Sequence, residues 1–265
     1  MNALCIGYHD ILRKPDASIP PDVLLYCLDR TDFREHLCAI HSKARGPVET
    51  IAGLRSWDYR LPVFLTFDDG NIGAYRFAAE DLERHDWRGH FFIISDWIGR
   101  LGFMDRSQIR DLHERGHVIG SHSRSHPARM SALSTEELLE EWGESCARLS
   151  DVIGARVTVA SVAEGYYSRR VGRTAAAKGI EVLFTSEPTT KVSMIDGCLL
   201  LGRYTIQRGM PPSISGAIAA GQVFPRWRQT VSWTTKKVAK AVGGRYYLTV
   251  RRRLLEHHSK RTMSS

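Results

Sequence analysis

Between Leu4 and Thr205 the chain alternates short apolar runs with amphipathic stretches of helical period, and this alternation restricts the fold more than any other feature. The apolar runs are Leu4–Tyr8, Pro62–Phe67, His90–Ile94, His117–Gly120, Thr158–Val162, Glu181–Thr185 and Cys198–Thr205. Each has the length of a strand rather than of a buried helix. Helices are expected between them: Thr31–Ile40, with Phe33, Leu37 and Ile40 on one face; Asn71–His85; Arg106–Arg115; a long helix capped by Ser134; and Ser168–Lys178, closed by Gly179. Glu136 and Glu137 fall in the first turn of the long helix, where the dipole favours acids. Strands separated by helices pair in parallel through crossovers. About seven of them predict a closed or nearly closed α/β barrel, with a doubly wound open sheet as the alternative. In either fold the chemistry belongs on loops at the carboxyl ends of the strands.

The 265 residues, 43% hydrophobic and 25% charged, suit one globular domain of barrel size with an appendage. A boundary near Gly221–Pro225 divides a barrel over residues 1–221 from a basic, helical extension over residues 222–265. Eleven of the 37 Lys and Arg follow Phe224, against one of the 29 acids, Glu256. The extension therefore carries about +10 of the net +8, and the body lies near −2. Such a body excludes a nucleic-acid-binding surface on charge, and only the extension has the footprint for an anionic partner. Its basic residues interleave with Trp227, Trp233, Tyr246 and Tyr247. That pattern fits peripheral contact with an anionic membrane, or two helices packing an apolar face on the barrel. No run of about 18 apolar residues occurs, so no spanning helix is expected. The opening Met1–Asp10 reads as a strand rather than a signal peptide. The five cysteines, Cys5, Cys27, Cys38, Cys146 and Cys198, are odd in number and never spaced CxxC. They predict neither a disulfide framework nor a cysteine-zinc site, and a reducing, cytoplasmic location is the expectation.

Two segments carry candidate chemistry. Leu65–Gly70 runs a buried strand into two adjacent carboxylates, Asp68 and Asp69, and a turn could bring both into one site. A plain strand-end turn is the alternative, because Asp and Gly are favoured there. Gly120–Pro127 also follows an apolar strand and holds His122 and His126, four apart, which on a helical turn would chelate a metal. One carboxylate and two imidazoles leave coordination positions open for water and substrate, as catalytic zinc requires.

These segments resemble the polysaccharide deacetylase family, which includes chitooligosaccharide and peptidoglycan deacetylases. Thr66–Gly70 matches the Thr-Phe-Asp-Asp-Gly motif in full, and His122–His126 is similar to the second, histidine-bearing motif. Gly7–Asp10, His90–Ile94 and Gly116–Gly120 also look like the family. The resemblance spans roughly Leu4 to Tyr204. It implies a distorted (β/α)7 barrel and a hydrolase that removes N-acetyl groups from a carbohydrate, a glycan or a lipid- or nucleotide-linked sugar of surface-polysaccharide biosynthesis. It implies Asp68 as the general base and Asp69, His122 and His126 as ligands to a divalent metal. That ligand set suits zinc, with cobalt or nickel able to substitute.

The chain departs from the family at two places. The third motif, Arg-x-Pro-Tyr, corresponds to Ser161–Gly165, so the arginine that orients the base is replaced by Ser161 and the tyrosine by Glu164. Glu164 is a replacement acid or base, or else a solvent-facing loop residue. The Leu-x-His of the last motif has no counterpart after Ile180, which leaves the proton donor unassigned. His9, at the end of the first strand, is the substitute, or a pocket-lining residue. His9 and Tyr166 are candidate substrate contacts. Two further readings follow from the departures: a catalytically degenerate sugar-binding barrel, and a hydrolase of another non-peptide amide.

Overall fold

The computed structural model describes residues 1–14, 19–52, 61–224, 226 and 229–231. In chain order the elements are β1 (Leu4–Tyr8), β2 (Asp10–Leu12), α1 (Pro21–Leu24), β3 (Cys27–Asp29), α2 (Arg30–Lys43), β4 (Val63–Phe67), α3 (Glu80–Glu83), β5 (His90–Ile93), α4 (Arg106–Glu114), β6 (Val118–Ser121), α5 (Thr135–Ile153), β7 (Val159–Ser161), α6 (Arg169–Ala177), β8 (Val182–Phe184), β9 (Ser193–Ile195), β10 (Cys198–Leu201), β11 (Tyr204–Thr205) and α7 (Pro212–Ala219). The local chemistry behind them is ordinary. Asp105 opens α4 and Ser134 opens α5, each through a capping box closed by Gln108 and Glu137 respectively.

The main sheet runs β11-β1-β4-β5-β6-β7-β8-β10-β9. Every pair in it is parallel except β10 with β9. The run expected as one strand, Cys198–Thr205, is two. Leu199–Leu201 pair with β8 at one edge, and Tyr204 and Thr205 pair with β1 at the other. The seventh strand position is thus shared by two pieces of one run, which curls the sheet into the distorted barrel. Gly202 makes the break: a Cβ there would run into the carbonyl oxygens of Glu187 and Thr189. The expected helix 71–85 also differs, because wide π-type turns over Ala74–Ala79 lead into the short α3.

Alternation along the strands sorts side chains into two layers. Leu4, Ile6, Val63, Leu65, Phe91, Ile93, Ala160 and Leu183 face outward and pack against the helices, including Phe33, Leu37, Trp142 and Leu149. Cys5, Phe64, Phe92, Val159, Val182, Phe184 and Leu201 form the inner cluster. The inner parity continues past the strand ends to His9, Asp68, His122 and Arg203. The barrel interior therefore turns from apolar to ionisable at the carboxyl ends of its strands.

Beyond α7 the described positions from 223 to 231 are helical. Gln229 Nε2 donates to Thr205 O at 3.4 Å, and Thr230 Oγ1 donates to Pro188 O at 3.0 Å, so this turn touches the barrel. Trp227, Trp233, Tyr246, Tyr247 and every basic residue of the extension except Arg226, on which the membrane contact rests, lie outside the described residues. Among the described residues no helix is long and apolar enough to cross a membrane.

Candidate metal centre

Asp69, His122 and His126 converge at the mouth of the barrel, with one ligand atom from each lying within 4.8 Å of the others. Asp69 Oδ1 is 3.4 Å from His122 Nε2 and 3.7 Å from His126 Nε2. A tetrahedral ion with bonds of about 2 Å holds its ligand atoms about 3.3 Å apart, and the two Asp69–histidine separations lie close to that spacing.

Backbone conformation, not helical geometry, brings the two histidines together. His122–His126 is a loop, not the helical turn expected from the four-residue spacing. Ser123 (φ 65°), His126 (φ 58°) and Asp69 (φ 71°) are all left-handed. Among the described residues six non-glycine residues have positive φ, and Asp69, Ser123, His126 and Glu164 are four of them. Such conformations cost free energy and persist where surrounding contacts impose them, often at functional sites. Here the contacts come from α5. Glu141 accepts hydrogen bonds from the Arg124 and Ser125 N–H groups and from Ser125 Oγ, and Ser145 Oγ donates to Ser123 O.

Behind the trio a buried chain of bonds reaches Asp68. Ser161 Oγ donates to Asp68 Oδ1 at 3.1 Å and so accepts from His122 Nδ1 at 2.6 Å. With the proton on Nδ1, the Nε2 lone pair faces the Asp69 carboxylate. Without an ion the ring takes a second proton and Nε2 donates to Asp69; with one, the Nε2 lone pair ligates it, so this donor set fits a metal. On the other side Arg203 Nη1 donates to the same Asp68 Oδ1 at 2.7 Å. Its Nε donates to Thr185 O at 3.2 Å, and Nη1 also reaches Thr66 Oγ1 at 3.3 Å.

The electrostatics follow from these contacts. Burial alone would raise the Asp68 carboxyl, but the charges of Arg203, His122 and His9 outweigh it and hold Asp68 well below the usual carboxylate range. Asp69 also ends lowered: burial raises it, and the hydrogen bond to His122, with the charges of His9, His122 and His126, overrides that. Burial pushes His122 down, yet Asp68 and Asp69 carry it up. His126 is lowered by burial and then by the His122 charge.

The remaining sequence candidates surround this centre. His9 follows β1 beside Tyr26, with ring centroids 4.6 Å apart, and its Nδ1 is buried with no hydrogen-bond partner. Both Asp68 and Asp69 feel its charge. Glu164 is exposed, in a turn over Ala163–Gly165, near enough to His126 to act on it electrostatically. Tyr166 is half-buried, with the Arg129 guanidinium 5.5 Å over its ring. Trp97 walls the other side, its ring centroid 5.5 Å from that of His126.

Sequence reasoning missed Arg203. The available signal was parity: Leu199, Leu201 and Arg203 share the inward face of an otherwise apolar run. An arginine there is seldom buried without a partner.

Comparison with known proteins agrees with this geometry. The family model for polysaccharide deacetylases matches residues 60–183. YxkH of Bacillus subtilis (strain 168), named for the same family, is 26% identical over 155 residues, covering 58% of this chain and 55% of that protein. An uncharacterised 30.6 kDa protein of Geobacillus stearothermophilus is 26% identical over 98 residues, covering 37% of this chain and 35% of its own length. The chain thus spans about half, or less, of the curated relatives it matches. Among solved structures, the Streptococcus pyogenes deacetylase PplD in complex with acetate superposes with a TM-score of 0.66 at 19% identity, over 80% of this chain and 95% of that one. A polysaccharide deacetylase of Bacillus cereus gives 0.70 at 18%, over 82% and 69%, and IcaB of Ammonifex degensii gives 0.66 at 21%, over 83% and 97%. At these identities the superpositions establish the barrel fold, while the segment that the polysaccharide deacetylase model matches, residues 60–183, contains Asp68, Asp69, His122 and His126.

Proposed function

We propose that the protein is a metal-dependent hydrolase that removes N-acetyl groups from a carbohydrate, a glycan or a sugar linked to a nucleotide or lipid. The observation that carries this reading is the convergence of Asp69, His122 and His126 beside a second carboxylate, Asp68, held by buried partners. Asp69, His122 and His126 would hold a divalent ion, zinc by the ligand set, with cobalt or nickel able to replace it. Bound there, such an ion supplies Lewis-acid polarisation of the acetamide carbonyl and makes water more acidic.

The chain's own residues do the rest. Asp68 Oδ1 is engaged by Ser161 and Arg203, whereas Oδ2 accepts no hydrogen bond from the described residues. Oδ2 is then the atom that takes the proton from the attacking water. The half-buried His9, whose Nδ1 has no hydrogen-bond partner, follows the strand paired with that of Asp68 and gives the departing amine nitrogen its proton as the C–N bond breaks. Acetate and a free amino sugar leave. Tyr166, with the Arg129 guanidinium over its ring, is the candidate sugar contact, and Trp97 bounds the site beside His126.

The test is metal analysis of the purified protein together with acetate release from free, nucleotide-linked and lipid-linked N-acetylhexosamines. Release that stops with chelator and returns with zinc is the expected result. Sugar binding without acetate release would favour the degenerate barrel, and turnover only of formamides or cyclic imides would favour the other amide hydrolase.

A further inference from the structure

We propose that Arg203, reaching Asp68 from the seam where the barrel closes, is the positioning residue of the base, and that Ser161 shares the task by fixing the same carboxylate oxygen. The inference rests on reading Asp68 as the base.

Four observations carry it. Arg203 and Asp68 form an ion pair at 2.7 Å with side chains 3% and 7% exposed, so neither is free to exchange partners with water. Among the described residues no other Lys or Arg pairs with Asp68. The guanidinium is fixed independently of Asp68, through Thr66 Oγ1 on β4 and the Thr185 carbonyl after β8. The Phe92 ring lies 5.7 Å from its Cζ and keeps that side dry. A planar fork held at several points sets a direction, which a flexible ammonium could not.

The bonds to Asp68 are also one-sided. Ser161 on β7 and Arg203 between β10 and β11 both approach Oδ1, and Oδ2 is left bare. A pair that only cemented the barrel would gain by engaging both oxygens. This one stops the carboxylate from rotating and presents a single oxygen to the mouth of the site. Ser161 further joins Asp68 to His122 Nδ1, so the base and a metal ligand share one frame. Because Arg203 lies between β10 and β11, the contact that orients the base is made by the crossover that closes the sheet.

The experiment uses the full chain loaded with zinc or cobalt and follows acetate release, with kcat and KM determined separately. The variants are Arg203→Ala, Arg203→Lys and Ser161→Ala. Arg203→Ala should lower kcat about 10- to 100-fold, in the range seen when outer partners of metal sites are removed, with KM little changed. The cobalt absorption spectrum of the two-histidine site should persist. Guanidinium ion at concentrations far below those that unfold the protein should restore part of the lost kcat, because it can fill the cavity left by the side chain. If Arg203→Ala does not fold, Arg203→Lys keeps the charge and should show the kcat defect without a KM defect. Ser161→Ala should also lower kcat, by less than Arg203→Ala. A parental kcat in a folded Arg203 variant would overturn the inference. So would a kcat loss that follows loss of the cobalt spectrum and does not respond to guanidinium. A parent enzyme that releases no acetate would overturn the deacetylase reading and this role with it, whereas an active parent with an equally active Arg203 variant overturns this role alone.

Discussion

Nε2 of His122 faces Oδ1 of Asp69 across 3.4 Å, while Nδ1 of the same ring is bonded to Ser161 Oγ at 2.6 Å. The ring is therefore oriented from behind and offers a single lone pair to the site. His122→Ala and His126→Ala should each abolish bound metal after dialysis, with the circular dichroism spectrum retained. Full metal occupancy in the double variant would place the centre elsewhere.

Asp68→Asn keeps the volume of the base and removes its proton-accepting charge. Loss of a general base costs about 100- to 10,000-fold in rate, and acetate release should fall within that range. Metal content should be unchanged, because the proposed ligand is Asp69 and not Asp68. Near-parental turnover would assign the base to another group, with Glu164 the first to examine.

Glu164 lies exposed in the turn after Ser161 and has no ion-pair partner among the described residues. Glu164→Gln should therefore cost far less turnover than Asp68→Asn, measured side by side at one pH. A loss as large as that of Asp68→Asn would give Glu164 a direct part in proton transfer.

Two buried histidines outside the site, His90 and His117, should make the fold sensitive to acid. His90 Nδ1 contacts Leu65 O, and its Nε2 accepts from the Ile51 N–H, so the ring sits neutral in the inner layer. Burial pushes His90 and His117 from 6.5 down to about 4. Between those values the unfolded chain binds protons that the folded chain does not, so stability falls as pH drops from about 6.5 to about 4. Each ring contributes up to about 3 kcal/mol to that fall. Urea midpoints of the metal-free protein should decline across this window, and His90→Gln should flatten the slope. Identical slopes in parent and variant would reject the assignment.

Gly202→Ala should destabilise the protein by about 1–3 kcal/mol, the usual cost of forcing an atom into a filled space. The added methyl meets the Glu187 and Thr189 carbonyls, and relief of that clash displaces the adjacent Arg203. Chemical denaturation and acetate release measured on the same preparation should both decline. A variant with parental stability would show that the crossover has slack.

The sequence by itself pointed to the barrel fold and to the candidate trio of Asp69, His122 and His126. Short apolar runs such as Val63–Phe67 and helical stretches such as Thr135–Ile153 are local, and local patterns read directly as strands and helices. Asp68, Asp69, His122 and His126 stand in short motifs whose residue types already contain the chemistry. Only the tertiary structure decided how those groups are held. His122 and His126 meet through left-handed loop residues rather than a helical turn, because Glu141 and Ser145 of α5 impose that path. The split of Cys198–Thr205 depends on the Glu187 and Thr189 carbonyls pressing on Gly202, and no property of that run announces them. Arg203 and Asp68 are 135 positions apart in the chain. What joins them is the closure of the sheet, which brings the last strand back to the first, so a partner absent from the neighbourhood of Ser161 in sequence is supplied across the seam in space.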